Sequence, residues 1–278
     1  MVDLLVDIHN HILFGLDDGA QNIDETARMA RQAVKNGITH IIATPHHKNG
    51  KYDNPATVIL SRVNEVNNLL QTLEIPLTVL PGMEIHLHGD IVKGLKQSPT
   101  DLLTLNQTNK YILIELPYSH IPHFTEEIFY ELQLLGYVPV IAHAERNREF
   151  QKHPNQLYNL IQKGALAQIT AASVTGVFGR ELQKFSRRLF KHSLVHFIAT
   201  DAHNTDRRGF ELKSAYEYIN LHFSEKHVRY LQENAIKLVN DLDFSVWQPS
   251  KFEKRTKFKD LPKPGNLVAF FSNKRKEE

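Results

Sequence analysis

The sequence predicts an α/β protein built as a distorted β/α barrel, and three observations carry that expectation. Near-continuous apolar segments recur seven times, at residues 4–9, 38–44, 77–87, 111–116, 137–143, 165–170 and 194–200. Helical stretches separate most of them, the pattern of a parallel sheet whose strands are covered on both faces. No GxGxxG or GxxxxGK(S/T) follows any strand, so a doubly wound nucleotide-binding sheet has no support.

Each element has its own justification. LLVDIH (4–9) opens as a strand, and a helix from about Asp24 follows, with Asn22 and Glu25 spaced as a capping box and Gly37 just past its end. ITHIIAT is the second strand. Asn54 then reads as an N-cap before an initial proline, Pro55, opening a helix to about Glu74. LTVLPGMEIHL is the third extended segment, and YILIEL, YVPVIAH, ALAQIT and LVHFIAT continue the series between helices at 124–135 and 180–191. After a last helix at 224–242 the composition turns to Pro, Lys and Phe, which sets a domain edge near Gln248: a body at 1–248 and a basic tail at 249–278.

With 278 residues and 41% hydrophobic content, the chain can bury a substantial core. The absence of cysteine removes disulfides, thiolate metal sites and cysteine nucleophiles together, and fits a reducing cytoplasm. No run of eighteen apolar residues and no charged-then-apolar leader is present, so neither a membrane span nor a signal peptide is expected. Residues 251–278 carry a charge balance of +5 and the rest of the chain −3, so the body lacks the basic track that nucleic acid requires. The tail mixes lysines with Phe252, Phe258, Phe270 and Phe271; it is either a solvated end or a peripheral contact for the anionic inner face of the cell membrane.

The polar residues fall at strand ends. DIHNH closes the first strand, ATPHH the second and IEL the fourth; GMEIHLH ends the third, IAHAER the fifth and ATDAHN the seventh. In a parallel β/α barrel every strand's C-terminal end lies on one face, so six segments deliver imidazoles and carboxylates to one mouth. His9 and His11 are two apart and share a strand face, as do Asp201 and His203. That many ionisable groups repel or desolvate one another unless cations neutralise them. One ion needs three or four ligands, so about nine candidates point to two or three ions. Nitrogen and oxygen donors suit manganese, iron, zinc or magnesium. Adjacent divalent ions lower the pKa of a water between them and hold the oxygens of an in-line displacement, which outlines phosphoester hydrolysis. Arg146 and the Arg207–Arg208 pair stand where they can grip phosphate oxygens.

Several of these groups have plainer readings. Asp17 and Asp18 form a DDG turn in which one carboxylate can merely cap the next helix; Asp18 is the expected ligand. Asp7 shares His9's face but lies deeper, as a residue orienting a ligand would. His47, His86 and His88 are expected at the rim or as core-facing polar groups.

The segments DIHNHILFGLDDGA, IIATPHH, LPGMEIHLHGD, KYILIELP, PVIAHAERNRE and IATDAHN resemble, in type and order, the PHP family, named for polymerase and histidinol phosphatase domains. Within it they are similar to the metal-dependent protein-tyrosine phosphatases encoded with bacterial capsule and exopolysaccharide genes, from about residue 3 to 240. The resemblance implies a distorted (β/α)₇ barrel, and three metal ions on His9, His11, Asp18, His46, Glu84, Glu115, His143, Asp201 and His203, with Glu84 bridging. It also implies manganese as the first choice of metal, Arg146 and Arg208 as phosphate contacts, and the tyrosine-rich tail of an autokinase as partner. A small-molecule phosphatase such as histidinol phosphatase, and a non-catalytic kinase-binding regulator, are the competing readings.

Overall fold

The computed structural model describes residues 4–98 and 100–253. Its strands are β1 (Val6–Asn10), β2 (His40–Ala43), β3 (His46–His47), β4 (Thr78–Pro81), β5 (Glu84–His86), β6 (Tyr111–Glu115), β7 (Val138–Ile141), β8 (Leu166–Thr170) and β9 (Phe197–Ala199). The helices are α1 (Ile23–Lys35), α2 (Ala56–Thr72), α3 (Ile91–Gln97), α4 (Thr125–Leu134), α5 (Arg148–Lys152), α6 (Asn155–Gln162), α7 (Ala171–Thr175), α8 (Arg180–Lys191), α9 (Leu212–His222) and α10 (Glu225–Val239). Every pairing between these strands is parallel, in the orders β1-β2-β4 and β3-β5-β6-β7-β8-β9. The sheet curls, and backbone bonds from Asp201 N to His9 O and from His11 N to Ala202 O bring the segment after β9 alongside β1.

All seven expected extended segments are present, but two are broken. The segment at 38–44 stops at Ala43 and resumes as β3, and that at 77–87 splits into β4 and β5 across Gly82. Gly82 is required there: a Cβ would stand 2.6 Å from Ile42 Cγ2 and 3.2 Å from Ala43 O. Each break lets a strand change sheets and turn its last residues toward the interior of the curl.

Asn22 caps α1 through its side chain, as the sequence predicts. Asn54 does not cap α2. Pro55 occupies the cap position, and the Asn54 amide donates instead to Leu16 O and His46 O, tying two loops that carry site residues. The core is formed by the apolar strand residues and the inward faces of the helices, with Ile8, Ile41, Ile42, Ile114, Ile141 and Ile169 fully buried. Packing continues past Gln248: Ser250 N donates to His192 O, and the buried Phe252 ring stacks on His192 at 3.9 Å. The remaining tail residues, 254–278, lie outside the described residues.

Candidate metal centre

All nine expected ligands meet at the C-terminal ends of the strands. β1 supplies His9 and the chain just past it His11; their Nε2 atoms lie 3.2 Å apart. β3 supplies His46, β5 Glu84 and β6 Glu115. His143 follows β7, Asp201 and His203 follow β9, and Asp18 reaches in from the loop before α1. Glu84 is fully buried at the centre: its Oε2 lies 2.9 Å from His46 Nδ1, 3.3 Å from His9 Nε2 and 3.5 Å from His11 Nε2, while Oε1 lies 2.9 Å from His143 Nε2. Asp201 Oδ1 stands 3.3 Å from His11 Nε2 and 3.5 Å from His9 Nε2. On the outer side Asp18 Oδ1 faces His203 Nε2 at 3.4 Å and His46 Nε2 at 3.5 Å.

Donor atoms close enough to share an ion fall into three overlapping groups: His11, Asp18, His46 and His203; His9, His11 and Glu84; His46, Glu84 and Glu115. The residues fit divalent cations on a second count. The buried atoms Glu84 Oε2, His46 Nδ1 and His203 Nε2 make no aligned hydrogen bond within the protein, although Glu84 Oε2 and His46 Nδ1 are only 2.9 Å apart and His203 Nε2 is 3.4 Å from Asp18 Oδ1. Buried polar atoms are rarely left so without a functional reason.

The electrostatics agree. Burial opposes ionisation of Glu84, but the imidazoles of His9 and His46 override it and hold the carboxyl well below the usual carboxylate range. Burial likewise works against Asp201, and His203, His11, His9 and Arg208 together pull it well below that range. Burial would depress His9 and His46, yet the Glu84 charge raises both; Asp17 does the same, more strongly, for His11. Burial and the neighbouring His11 push His203 down to about 4. A pocket whose buried carboxylates draw protons onto facing imidazoles draws divalent cations for the same reason.

A second layer sets which nitrogen faces inward. His11 Nδ1 pairs with Asp17 Oδ2 at 2.6 Å, and His203 Nδ1 donates to Asp201 O at 2.9 Å, so each presents Nε2 to the centre. His9 Nδ1 lies 3.1 Å from Gln168 Oε1, which also accepts from His143 N at 2.8 Å. Asp17 thus sits behind His11, and Asp18 is the carboxylate that faces the imidazoles. Gln168 escapes sequence reasoning; the only signal was a polar residue midway along the apolar segment ALAQIT.

Asp7 departs from its expected role. It is fully buried and accepts from Thr200 N, Thr200 Oγ1 and Asn10 Nδ2, so it ties β1 to the end of β9, with no hydrogen bond to an imidazole among the described residues. His86 Nδ1 touches Glu115 Oε2 at 3.2 Å, whereas His47 turns away to Asn54 O. His47 and His88 line a separate cavity of about 710 Å³ between α2 and α3 that none of the nine residues borders.

Both arginines reach the centre. Arg146 Nη1 lies 2.5 Å and Arg208 Nη2 3.0 Å from Asp201 Oδ2, and Arg208 Nη1 lies 3.7 Å from Asp18 Oδ2. Each side chain is partly exposed, at 28% and 30%. Arg207 is exposed and makes no such contact. His143 and Asp201 adopt positive φ, 31° and 51°, which costs a non-glycine residue about 1–3 kcal/mol. Strain at two site residues marks positions set by where they aim a side chain.

Fold and site define a hydrolase-like centre for divalent metals, carried on a curled parallel sheet. Residues 5–240 match the family described as capsular polysaccharide synthesis, CpsB/CapC, and the chain belongs to it. It is 44% identical over 254 residues to the tyrosine-protein phosphatase YwqE of Bacillus subtilis, covering 91% of this chain and 99% of that protein. It is 38% identical over 238 residues to the putative tyrosine-protein phosphatase CapC of Staphylococcus aureus, covering 85% and 92%. Among solved structures, one from a study of YwqE and of CpsB from Streptococcus pneumoniae, described as unique metal-dependent tyrosine phosphatases, superposes with a TM-score of 0.85. That match has 44% identity and covers 89% of this chain and all of the other. An organophosphorus hydrolase from Deinococcus radiodurans, 12% identical with a TM-score of 0.54 over 84% of this chain and 92% of that one, shares the fold alone.

Proposed function

We propose that this protein is a metal-dependent tyrosine phosphatase of capsule or exopolysaccharide synthesis, hydrolysing phosphotyrosine on a tyrosine autokinase. The observation that carries the reading is the meeting at one mouth of seven donors close enough to share ions, with His143 and Asp201 in contact with them and two arginines beside them, in a chain without cysteine. Its family membership and its similarity to YwqE support the phosphotyrosine substrate.

His9, His11, Asp18, His46, Glu84, Glu115, His143, Asp201 and His203 would hold two or three divalent ions, manganese first among them, with Glu84 central enough to serve more than one. Such ions supply an acidic water as nucleophile and neutralise charge on the phosphoryl oxygens. The chain's own residues do the rest. Arg146 and Arg208 bind phosphate oxygens in the fork geometry of guanidinium and leave Asp201 free to serve a cation. Asp17, Gln168 and the Asp201 carbonyl hold His11, His9 and His203 with their Nε2 lone pairs inward. The half-exposed Asp18 side, rather than the buried Glu84 side, is where substrate arrives. The bonds joining the end of β9 to β1 also support closure into a seven-stranded barrel. We propose a cytoplasmic setting, with the basic tail as the segment through which contact with the membrane's inner face would be made. No helix among the described residues is long and apolar enough to cross a membrane.

Stripping metal with a chelator is expected to abolish hydrolysis of a phosphotyrosine peptide, and manganese to restore it. Full activity after verified metal removal would overturn this mechanism. Turnover of histidinol phosphate above the peptide would favour the small-molecule alternative. His9→Ala separates a binding role: loss of turnover with kinase binding retained is expected of the enzyme, and catalysis that survives would show the site to be misassigned.

A further inference from the structure

We propose that Tyr52 is the platform on which the aromatic ring of the leaving group lies, so that it sets the preference for aryl over alkyl phosphomonoesters; this rests on the phosphatase reading above. A cavity of about 470 Å³ opens against the metal centre, and its walls include Asp18 and His203 of the centre together with Tyr52. Arg208 does not line this cavity itself, but its Nη1 stands 3.7 Å from Oδ2 of Asp18, which does. A phosphate at that guanidinium therefore has this cavity as the space open to its ester group.

The backbone that carries Tyr52 is held on both sides of the residue. Asn49 Oδ1 accepts from Lys51 N at 3.0 Å and Tyr52 N at 2.8 Å, and Asn49 N donates back to Tyr52 O. A bridge between His47 and Asp53 ties the chain again immediately after it. The Tyr52 ring is parallel to that of His46, within 7° and 6.2 Å between centroids, so an aromatic face stands beside one of the site imidazoles. Lys51 Nζ lies 4.6 Å from its centroid and adds positive charge at the rim. A phenyl group gains offset or edge contacts on such a ring that an alkyl chain of the same reach does not. Phe178 is the competing aromatic: it lies 5.8 Å from the Arg146 guanidinium and does not border this cavity.

The test compares inhibition of manganese-loaded full-length protein by phenylphosphonate and by methylphosphonate, in wild type, Y52A, Y52L and F178A. The ratio of the two inhibition constants isolates the ring, since both ligands share the phosphonate. Y52A is expected to reduce the preference for phenylphosphonate about three- to tenfold, the size of one aromatic pair. Y52L should fall between, F178A should leave the ratio in place, and manganese affinity should be unchanged throughout. Equal weakening of both ligands, an unmoved ratio, a ratio moved only by F178A, or loss of manganese affinity in Y52A would each overturn the proposal. Failure of the wild type to hydrolyse a phosphotyrosine peptide would instead overturn the phosphatase reading.

Discussion

Gln168 gives a sharp test of how the site is held, because one oxygen atom serves two of its histidines. Oε1 accepts from His143 N at 2.8 Å and faces His9 Nδ1 at 3.1 Å, and the residue is fully buried. Gln168→Leu keeps the volume and removes the acceptor. One buried and one part-buried donor are then unpaired, each costing about 1–3 kcal/mol, so the loss should total roughly 2–6 kcal/mol. The His143 backbone, already at φ 31°, loses the bond that holds it there. His9 loses the partner that keeps its Nε2 lone pair inward, for which about a 10- to 100-fold drop in metal affinity is the usual cost. Denaturant unfolding of chelated protein measures the first effect, and manganese titration followed by phosphotyrosine-peptide turnover measures the second. Gln168→Glu, which retains an acceptor oxygen, should recover part of the metal affinity. A leucine variant within about 0.5 kcal/mol of wild type, with unchanged manganese affinity, would refute the claim that this amide positions the ligands.

Three further outcomes are expected. Gly19→Ala places a Cβ 2.1 Å from His11 O, so backbone must move; a loss of about 2–4 kcal/mol in unfolding free energy together with weaker manganese binding is expected, and wild-type behaviour in both would contradict the geometry. Arg146→Lys keeps the charge but not the fork, so kcat should fall roughly 10²-fold with manganese affinity intact. Burial holds the His196 imidazole down to about 3, so the folded protein binds fewer protons there than the unfolded chain. Stability from this group is therefore full above pH 6.5 and lost as pH falls toward 3, by an amount on the order of 5 kcal/mol. Chelated His196→Leu should show a flatter stability–pH curve across that window than chelated wild type.

Much of the protein was legible before any coordinates. Seven apolar segments punctuated by helices specify a covered parallel sheet, because strands buried on both faces cannot alternate. The ionisable residues at their ends specify a cation site, because six buried strand tips do not carry such groups without charge to neutralise. Those statements depend only on local pattern and on the cost of burial. Tertiary structure decided what depends on the partner across the fold. It broke one strand after Ala43 and another at Gly82, the second where close packing leaves no room for a Cβ. It took Asn54 from a helix cap to a loop tie, turned Asp7 toward Thr200, and set Asp17 behind His11 with Asp18 in front. It recruited Gln168 from 159 residues away to orient His9. Adjacent residues such as Asp17 and Asp18 carry the same chemistry in sequence, and only the direction in which the folded backbone points each one separates their roles.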